Sequence, residues 1–397
     1  MTAPTLLARS SGGFPRGAAP GVLMVLGHFA PAIGGTETQA RCLAAGLAGT
    51  GHRVTVLTLA RPGAPAREML DGVAVERALM ARGRGVLFAA TYGASLLRHL
   101  RRLRAGHAIL HAHHLYLEAM AAAWVGRRVA LPAIAKVAGG GPGGDFARLR
   151  RTGLAWGLPL LKRLTRVVAI SAEIEGELLD HGFAADRIAR IPNGVDVMRF
   201  APAVDQATAQ AQAGFGPETV LFLGRLDGQK GLDTALVAWA RIVARRPAAQ
   251  LVLAGVGPAQ ATLEAQAGAL GLRDRVRFLG ARPNPEVLLR ASQIFLLPSR
   301  SEGMSNALLE AMATGLACVA SRIGGNSDLL EQGATGLLVP PGDAAALTEA
   351  LAALLEDPGL RDRLGRAARA VAAELYAMDR VVRMYADLYA ALAGGSR

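Results

Sequence analysis

The chain has 397 residues, 51% of them hydrophobic and only 5% aromatic, and a formal net charge of +13. That length exceeds a single ordinary core and implies two domains, while the Ala, Leu, Val and Gly bias argues for an α/β chain and against an all-β sandwich. Two cysteines far apart, Cys42 and Cys318, exclude a disulfide framework or a cysteine zinc site, and no apolar run reaches the roughly 18 residues of a spanning helix. A reducing, cytoplasmic setting is expected. The first 200 residues hold 25 Lys+Arg against 12 Asp+Glu and the remainder 19 against 19, so the excess charge lies entirely in the first half. A basic half suits anionic substrates or an anionic membrane surface; with no reader motif it does not suit nucleic acid.

Residues 1–20 read as a disordered leader, its three-residue apolar stretch being too short for a signal peptide. Short β-type runs then alternate with longer helical patterns: VLMVLG at 22, RVTVLTL at 53, AILHAH at 108, PAIAKVA at 132 and RVVAIS at 166. This is the rhythm of a doubly wound parallel sheet. Two basic segments with apolar faces, 85–104 and 148–166, interrupt it; each reads either as a helix packed on the sheet with solvated arginines or as a surface for anionic lipid. The stretch from Ile191 to Glu218 mixes turn residues with Ala/Gln-rich sequence and reads as hinge and linker. The rhythm restarts with TVLFLGRL at 219, AQLVLAGVG at 249, RVRFLG at 275, QIFLLPS at 293 and LACVAS at 316. Two helical patterns end the chain, with a change of register near Tyr376 to Asp379. The expected domains are therefore 21–200 joined by 378–397, and 201–377, facing each other across a cleft at the carboxyl ends of their strands.

The chemistry-bearing residues cluster at those strand ends. HFAPAIGGTETQ places Gly34 and Gly35 ahead of a helix, where backbone amides can approach an anion. AILHAHHLY alternates His111 and His113 on a strand; with no companion cluster, hydrogen bonding to a substrate is favoured over a metal pair. LGRLDGQKGLD sets Arg225 and Lys230 around a turn, a guanidinium and an ammonium suited to a diphosphate, although a solvated loop is the ordinary alternative. SRSEGMSNALLEAMATG places Glu302 before a helix that Ser305 or Asn306 would cap, with Glu310 about one turn inside. Both carboxylates can accept hydrogen bonds from sugar hydroxyls, or simply complement the helix dipole.

Taken in order, GGTE, GHRVTVLT, LHAHH, VVAISAEIEGELL, IPNGVD, GRLDGQKGLDTAL, SEGMSNALLEAMATG and GATGLLVPPGD resemble the series found in retaining glycosyltransferases of family 4, over roughly residues 22–390. The resemblance implies the GT-B fold: two Rossmann-like parallel-sheet domains facing a central cleft, with the C-terminal helix crossing back to the N-terminal domain. It makes Arg225 and Lys230 the diphosphate clamp, Glu310 the ribose ligand and Glu302 the contact to the donor sugar, and brings His113 near the reacting centre. Gly35, with Gly34 in the same loop, would approach the distal phosphate; Gly303, Met304, Ser305 and Asn306 would offer backbone amides; Ala281 lies in FLGARP, where the family holds the base. The implied activity is transfer of a hexose-type sugar from a UDP- or GDP-linked donor to a glycan or lipid-linked acceptor, without cofactor or metal, in polysaccharide or glycolipid synthesis; where the two basic segments serve as a lipid surface, the enzyme is held peripherally on the inner face of the membrane. A GT-B epimerase or phosphorylase, or a silent glycan-binding protein on the same scaffold, is the alternative. One departure stands out: AKVAGGGPGGD carries Lys136, a Gly-rich loop and Asp145 where many members have a Thr-x-His-Gly element, and Asp328 replaces the more usual Glu.

Overall fold

The computed structural model describes residues 19–32 and 34–394, so all but the end of the expected leader lies outside the described residues. Eight strands form the first sheet: β1 (Val22–Val25), β2 (Val54–Leu59), β3 (Arg67–Leu70), β4 (Val73–Leu79), β5 (Ile109–His113), β6 (Ala133–Val137), β7 (Arg166–Ala169) and β8 (Ile188–Arg190). Their spatial order is β3-β4-β2-β1-β5-β6-β7-β8, parallel except for the β3–β4 hairpin. Six strands form the second: β9 (Thr219–Leu223), β10 (Gln250–Ala254), β11 (Val276–Gly280), β12 (Ile294–Leu297), β13 (Ala317–Ser321) and β14 (Leu337–Val339), in the order β11-β10-β9-β12-β13-β14. The expected two parallel-sheet α/β domains are thus present.

The central strands form because they are covered on both faces, and a strand with two dry faces reads as an unbroken apolar run. β1, β5, β6, β9 and β12 are buried at every residue. Strand order reverses between β1 and β5 in the first sheet and between β9 and β12 in the second. At such a switch point neighbouring loops diverge to opposite faces and leave a crevice, which decides where a ligand can sit. The loops after β1, β5, β9 and β12 are those that carry the sequence candidates.

The last helix, Met378–Gly394, packs its Val381, Val382, Tyr385, Tyr389 and Leu392 into the first sheet's second core, against Val22, Met24, Leu43 and Leu47. The helix Gly35–Gly49 lies beside it: a Cβ at Gly46 would come within 2.4 Å of Val382 Cγ2. The chain therefore crosses between sheets twice, and the crossings are stitched together by a bridge between Val195 and Ala377.

Two expectations need correcting, and one hairpin is added. The Ala/Gln-rich stretch inside the presumed linker is a helix, Gln206–Ala213, because Asp205 caps it by accepting from the amides of Ala207 and Thr208, Ala and Gln favour helix, and Gly214 ends it in a left-handed conformation. It packs on the helix Pro285–Ala291 and so belongs to the second domain. The basic segment 148–166 is not one amphipathic helix: Gly153 at φ +69° ends the helix Asp145–Arg151, and only one short turn each at Ala155–Gly157 and Leu158–Leu161 precede β7. The β3–β4 hairpin was not anticipated, since β4 alternates buried and half-buried residues instead of forming a continuous run.

Tyr385 is fully buried between the first sheet and the helix Gly35–Gly49. Tyr385→Ala is expected to lower stability by about 3–5 kcal/mol in urea unfolding, the usual cost of deleting a buried ring. A loss below about 1 kcal/mol would mean that this helix does not complete the N-terminal core.

Candidate functional site

Two loops of the second domain are fastened to each other. The loop after β9 forms a tight turn, Gly228–Lys230, which Asp227 caps by accepting from Gln229 N–H at 3.1 Å. Gly231 then takes φ +64°, and a Cβ there would stand 2.1 Å from the carbonyl oxygen of Pro298, so only glycine lets the two loops touch. Arg300 completes the fastening: its N–H donates to the Gln229 carbonyl at 2.7 Å and its guanidinium grips the Asp233 carboxylate bidentately at 2.8 and 2.7 Å.

This brings Lys230 onto Glu302. The Nζ lies 2.5 Å from Oε1, and the same oxygen accepts from Ser299 Oγ at 2.6 Å. Both side chains are mostly covered, with 19% and 11% exposure. Arg225 does not join them. It pairs with Asp227 at 2.9 Å and is 74% exposed, so the two expected clamp cations hold separate carboxylates. Ser305 caps the helix Asn306–Thr314 by accepting from Leu308 N–H at 3.3 Å, which leaves Asn306 as the first helical residue.

Glu310 lies farther along that helix, where burial pushes its carboxyl up to about 7 despite the opposing pull of Arg199. Arg199 is itself tied to Glu286 at 2.8 Å. Ala281 is exposed just after β11, at the sheet edge and three strands from β12.

The first domain closes the site from the other side. Asn306 Nδ2 donates to the Gly35 carbonyl at 2.9 Å, setting the Gly34–Gly35 turn against the start of the second domain's helix. Gly303 comes so close to the Gly-rich loop that an added Cβ would lie 2.6 Å from the Ala138 oxygen. Ser301 Oγ donates to the Gly140 carbonyl at 3.3 Å. Met304 is buried and receives the Asn193 N–H on its sulfur at 3.3 Å.

His113 ends β5, fully buried, with its ring stacked on His111 at 4.4 Å and neither nitrogen hydrogen-bonded within the described protein. Burial, with His111 and Lys136 nearby, holds its pKa well below the usual value, so it is neutral.

Sequence reasoning missed Ser299, Asp227, Arg300 and Asn193 as site residues. The last had a signal, the Pro-Asn-Gly-Val-Asp turn at the hinge; the others act through partners that only the fold reveals.

Comparison with known proteins agrees with the fold. The family described as Glycosyltransferase Family 4 matches residues 33–199, and Glycosyl transferases group 1 matches residues 205–371. The D-inositol 3-phosphate glycosyltransferase of Nocardia farcinica is 37% identical over 220 residues, covering 52% of this chain and 48% of that one. The chain spans about half the length of the curated relatives it matches. Among solved structures, Alr3699/HepE of Anabaena, in complex with UDP and glucose, superposes with a TM-score of 0.80 at 22% identity, covering 94% of this chain and 99% of that one. Sucrose-phosphate synthase of Thermosynechococcus elongatus gives 0.77 at 26% identity, with the same coverage. With one family matching each domain and GT-B enzymes superposing on both together, the chain belongs to the family 4 glycosyltransferases of GT-B fold.

Proposed function

We propose that the protein transfers a hexose-type sugar from a nucleoside diphosphate sugar to a glycan or lipid-linked acceptor with retention of anomeric configuration. The observation that carries this reading is the Lys230–Glu302 pair beside the start of the helix Asn306–Thr314: an ammonium, a carboxylate and free helix amides within one small region. A diphosphate suits the ammonium and the amides, and sugar hydroxyls suit the carboxylate. The Anabaena neighbour solved with UDP supports a uridine donor, and a guanosine one remains the alternative.

In the reaction, the bond from the anomeric carbon to the leaving phosphate oxygen breaks and its electron pair departs with the nucleoside diphosphate. The acceptor hydroxyl oxygen bonds to the same carbon on the face that was vacated, and its proton passes to a leaving phosphate oxygen. Catalysis then consists mainly of stabilising charge that grows on the phosphate. Lys230, Arg225 once released from Asp227, and the amides of Gly303 to Asn306 supply that potential. Gly35 brings the first domain to the phosphate, and neutral His113 is suited to hydrogen-bond an uncharged sugar. Fixed cations in this role make a divalent metal unnecessary, so nucleoside diphosphate release is expected to persist in EDTA. A basic N-terminal domain fits a phosphate-bearing lipid acceptor at the inner membrane face, in polysaccharide or glycolipid synthesis. The helix Gly85–Leu103 supports this, for it exposes Val86 (86%), Leu87 and Phe88 next to Arg82 and Arg84.

Three measurements test these assignments. Release of nucleoside diphosphate from a panel of nucleotide sugars should fall by at least about a hundredfold in Lys230→Ala, the loss of one preorganised charge-stabilising group; retained activity would refute the clamp. Nucleoside diphosphate affinity should tighten as pH rises from 6 to 8, because a ribose diol donates to ionised Glu310, and binding draws its carboxyl down from about 7. Glu310→Gln should remove that part of the pH dependence, and identical pH profiles for the two proteins would exclude Glu310 from the ribose. Flotation with anionic vesicles should be salt-sensitive and should weaken in Phe88→Asp; equal flotation with neutral vesicles would argue against headgroup recognition.

A further inference from the structure

Lys136 is one of three lysines in the chain and stands on β6 directly opposite His113 of β5. It is buried, and among the described residues no carboxylate pairs with it. Burying an ammonium without a counter-ion is costly, and desolvation pulls its pKa down to about 7. A lysine placed there is not explained by an ion pair. What it does have is a single hydrogen bond, from Nζ to Asn193 Oδ1 at 2.7 Å.

That bond begins a chain. Asn193 Nδ2 donates to Asn306 Oδ1 at 2.9 Å, and Asn306 Nδ2 donates to the Gly35 carbonyl at 2.9 Å. The next hinge residue closes a ring with the Gly35–Gly49 helix: Gly194 N–H donates to Gln39 Oε1 at 3.0 Å, and Gln39 Nε2 donates to the Gly194 carbonyl at 2.7 Å. Four pieces of backbone are thus tied together: β6, the hinge, the start of the helix Asn306–Thr314 and the Gly34–Gly35 turn.

The direction of the chain matters as much as its existence. An amide side chain can turn over, exchanging oxygen for nitrogen, but Lys136 as the ammonium has donors only, and Nζ is the donor in its bond to Asn193. Facing Lys136, Asn193 must present its oxygen; its nitrogen then faces Asn306, whose oxygen must turn inward and whose nitrogen must face Gly35. Each link agrees with the next, and the Met304 and Gly35 carbonyls, which only accept, call for the same sense from the far end.

The geometry points to Lys136 as a positioning residue for the transfer reaction: through Asn193 it braces the amide of Asn306 and so holds the start of the donor-side helix against the Gly34–Gly35 turn. This rests on the donor-site reading above. Lys136 touches no reacting atom; it keeps the Gly35 carbonyl occupied by Asn306 and turned away from an arriving phosphate. Because the groups it aligns stabilise charge that grows in the transition state, its loss falls on kcat more than on donor KM.

The test is a double-mutant cycle with Lys136→Met and Asn193→Ala, reading kcat and donor KM for nucleoside diphosphate release and, without substrate, hydrogen exchange of the backbone at 303–309. Lys136→Met is expected to lower kcat at least about tenfold with donor KM moving less than about threefold, and to speed exchange at 303–309. The double variant should be no slower than Asn193→Ala alone, because one residue acts through the other. Lys136→Gln, which can still donate to Asn193, should recover most of the kcat, and Lys136→Leu, which cannot donate, takes the place of Met in the cycle if the Met variant does not fold. A folded Lys136→Met or Lys136→Leu variant with wild-type kcat, losses that multiply across the cycle, or exchange at 303–309 unchanged from wild type in that variant would each overturn the proposal. Wild-type protein inactive on every nucleotide sugar would instead count against the donor-site reading, while the exchange measurement still decides the role of Lys136.

Discussion

The ion pair between Lys230 and Glu302 joins the loop after β9 to the loop after β12, and the donor side of the cleft depends on it. Paired in this way the two charges neutralise each other, which removes the penalty of holding either one alone in a mostly covered position. A diphosphate sugar would supply each with a new partner, phosphate for the ammonium and hydroxyls for the carboxylate. The pair therefore acts as a placeholder whose geometry is kept by neighbours that do not exchange: Ser299 on the carboxylate, Arg300 on Asp233, and the Gly231 contact to Pro298. Arg225 is held more loosely by Asp227 and is free to move onto a ligand.

The two domains meet through contacts of a different kind. Gly303 against Ala138, Ser301 on Gly140 and Asn306 on Gly35 are small, polar and backbone-mediated, whereas the C-terminal helix buries two tyrosine rings in the N-terminal core. The hinge is thereby anchored by hydrophobic packing, and the cleft is held by a few hydrogen bonds and the partly exposed Arg190–Asp328 ion pair at 2.9 Å. Each such bond contributes on the order of 1 kcal/mol net, so the cleft side can part at a cost far below that of moving the helix.

Much of the fold could be read from the chain because the central strands are buried on both faces and so appear as continuous apolar runs. What could not be read follows from rules that runs do not report. The half-buried alternation of β4 hid a hairpin, the Ala/Gln composition of Gln206–Ala213 concealed a capped helix, and Gly153 broke a basic segment that had looked uniform. At the site, strand-end position and residue chemistry were enough to nominate Glu302, Glu310, Lys230 and the Gly34–Gly35 turn. Pairing was not legible. Whether Arg225 turns toward Lys230 or toward Asp227 is settled by a tight turn, and nothing in local sequence connects Lys136 to an asparagine 57 positions later.

Burial acts on three titratable groups around the cleft in one consistent sense. It lowers Lys136 to about 7, raises Glu310 to about 7 and keeps His113 neutral, each time favouring the uncharged form. Near neutral pH, these three groups therefore add little unpaired charge to the cleft, and the strong charges beside them are paired, Lys230 with Glu302 and Arg225 with Asp227. A cleft in that condition can close on itself without a large electrostatic cost. Under the proposed function, a ligand that separated the pairs would make those charges available, and the positive potential would be directed at the anion that displaced Glu302 and Asp227.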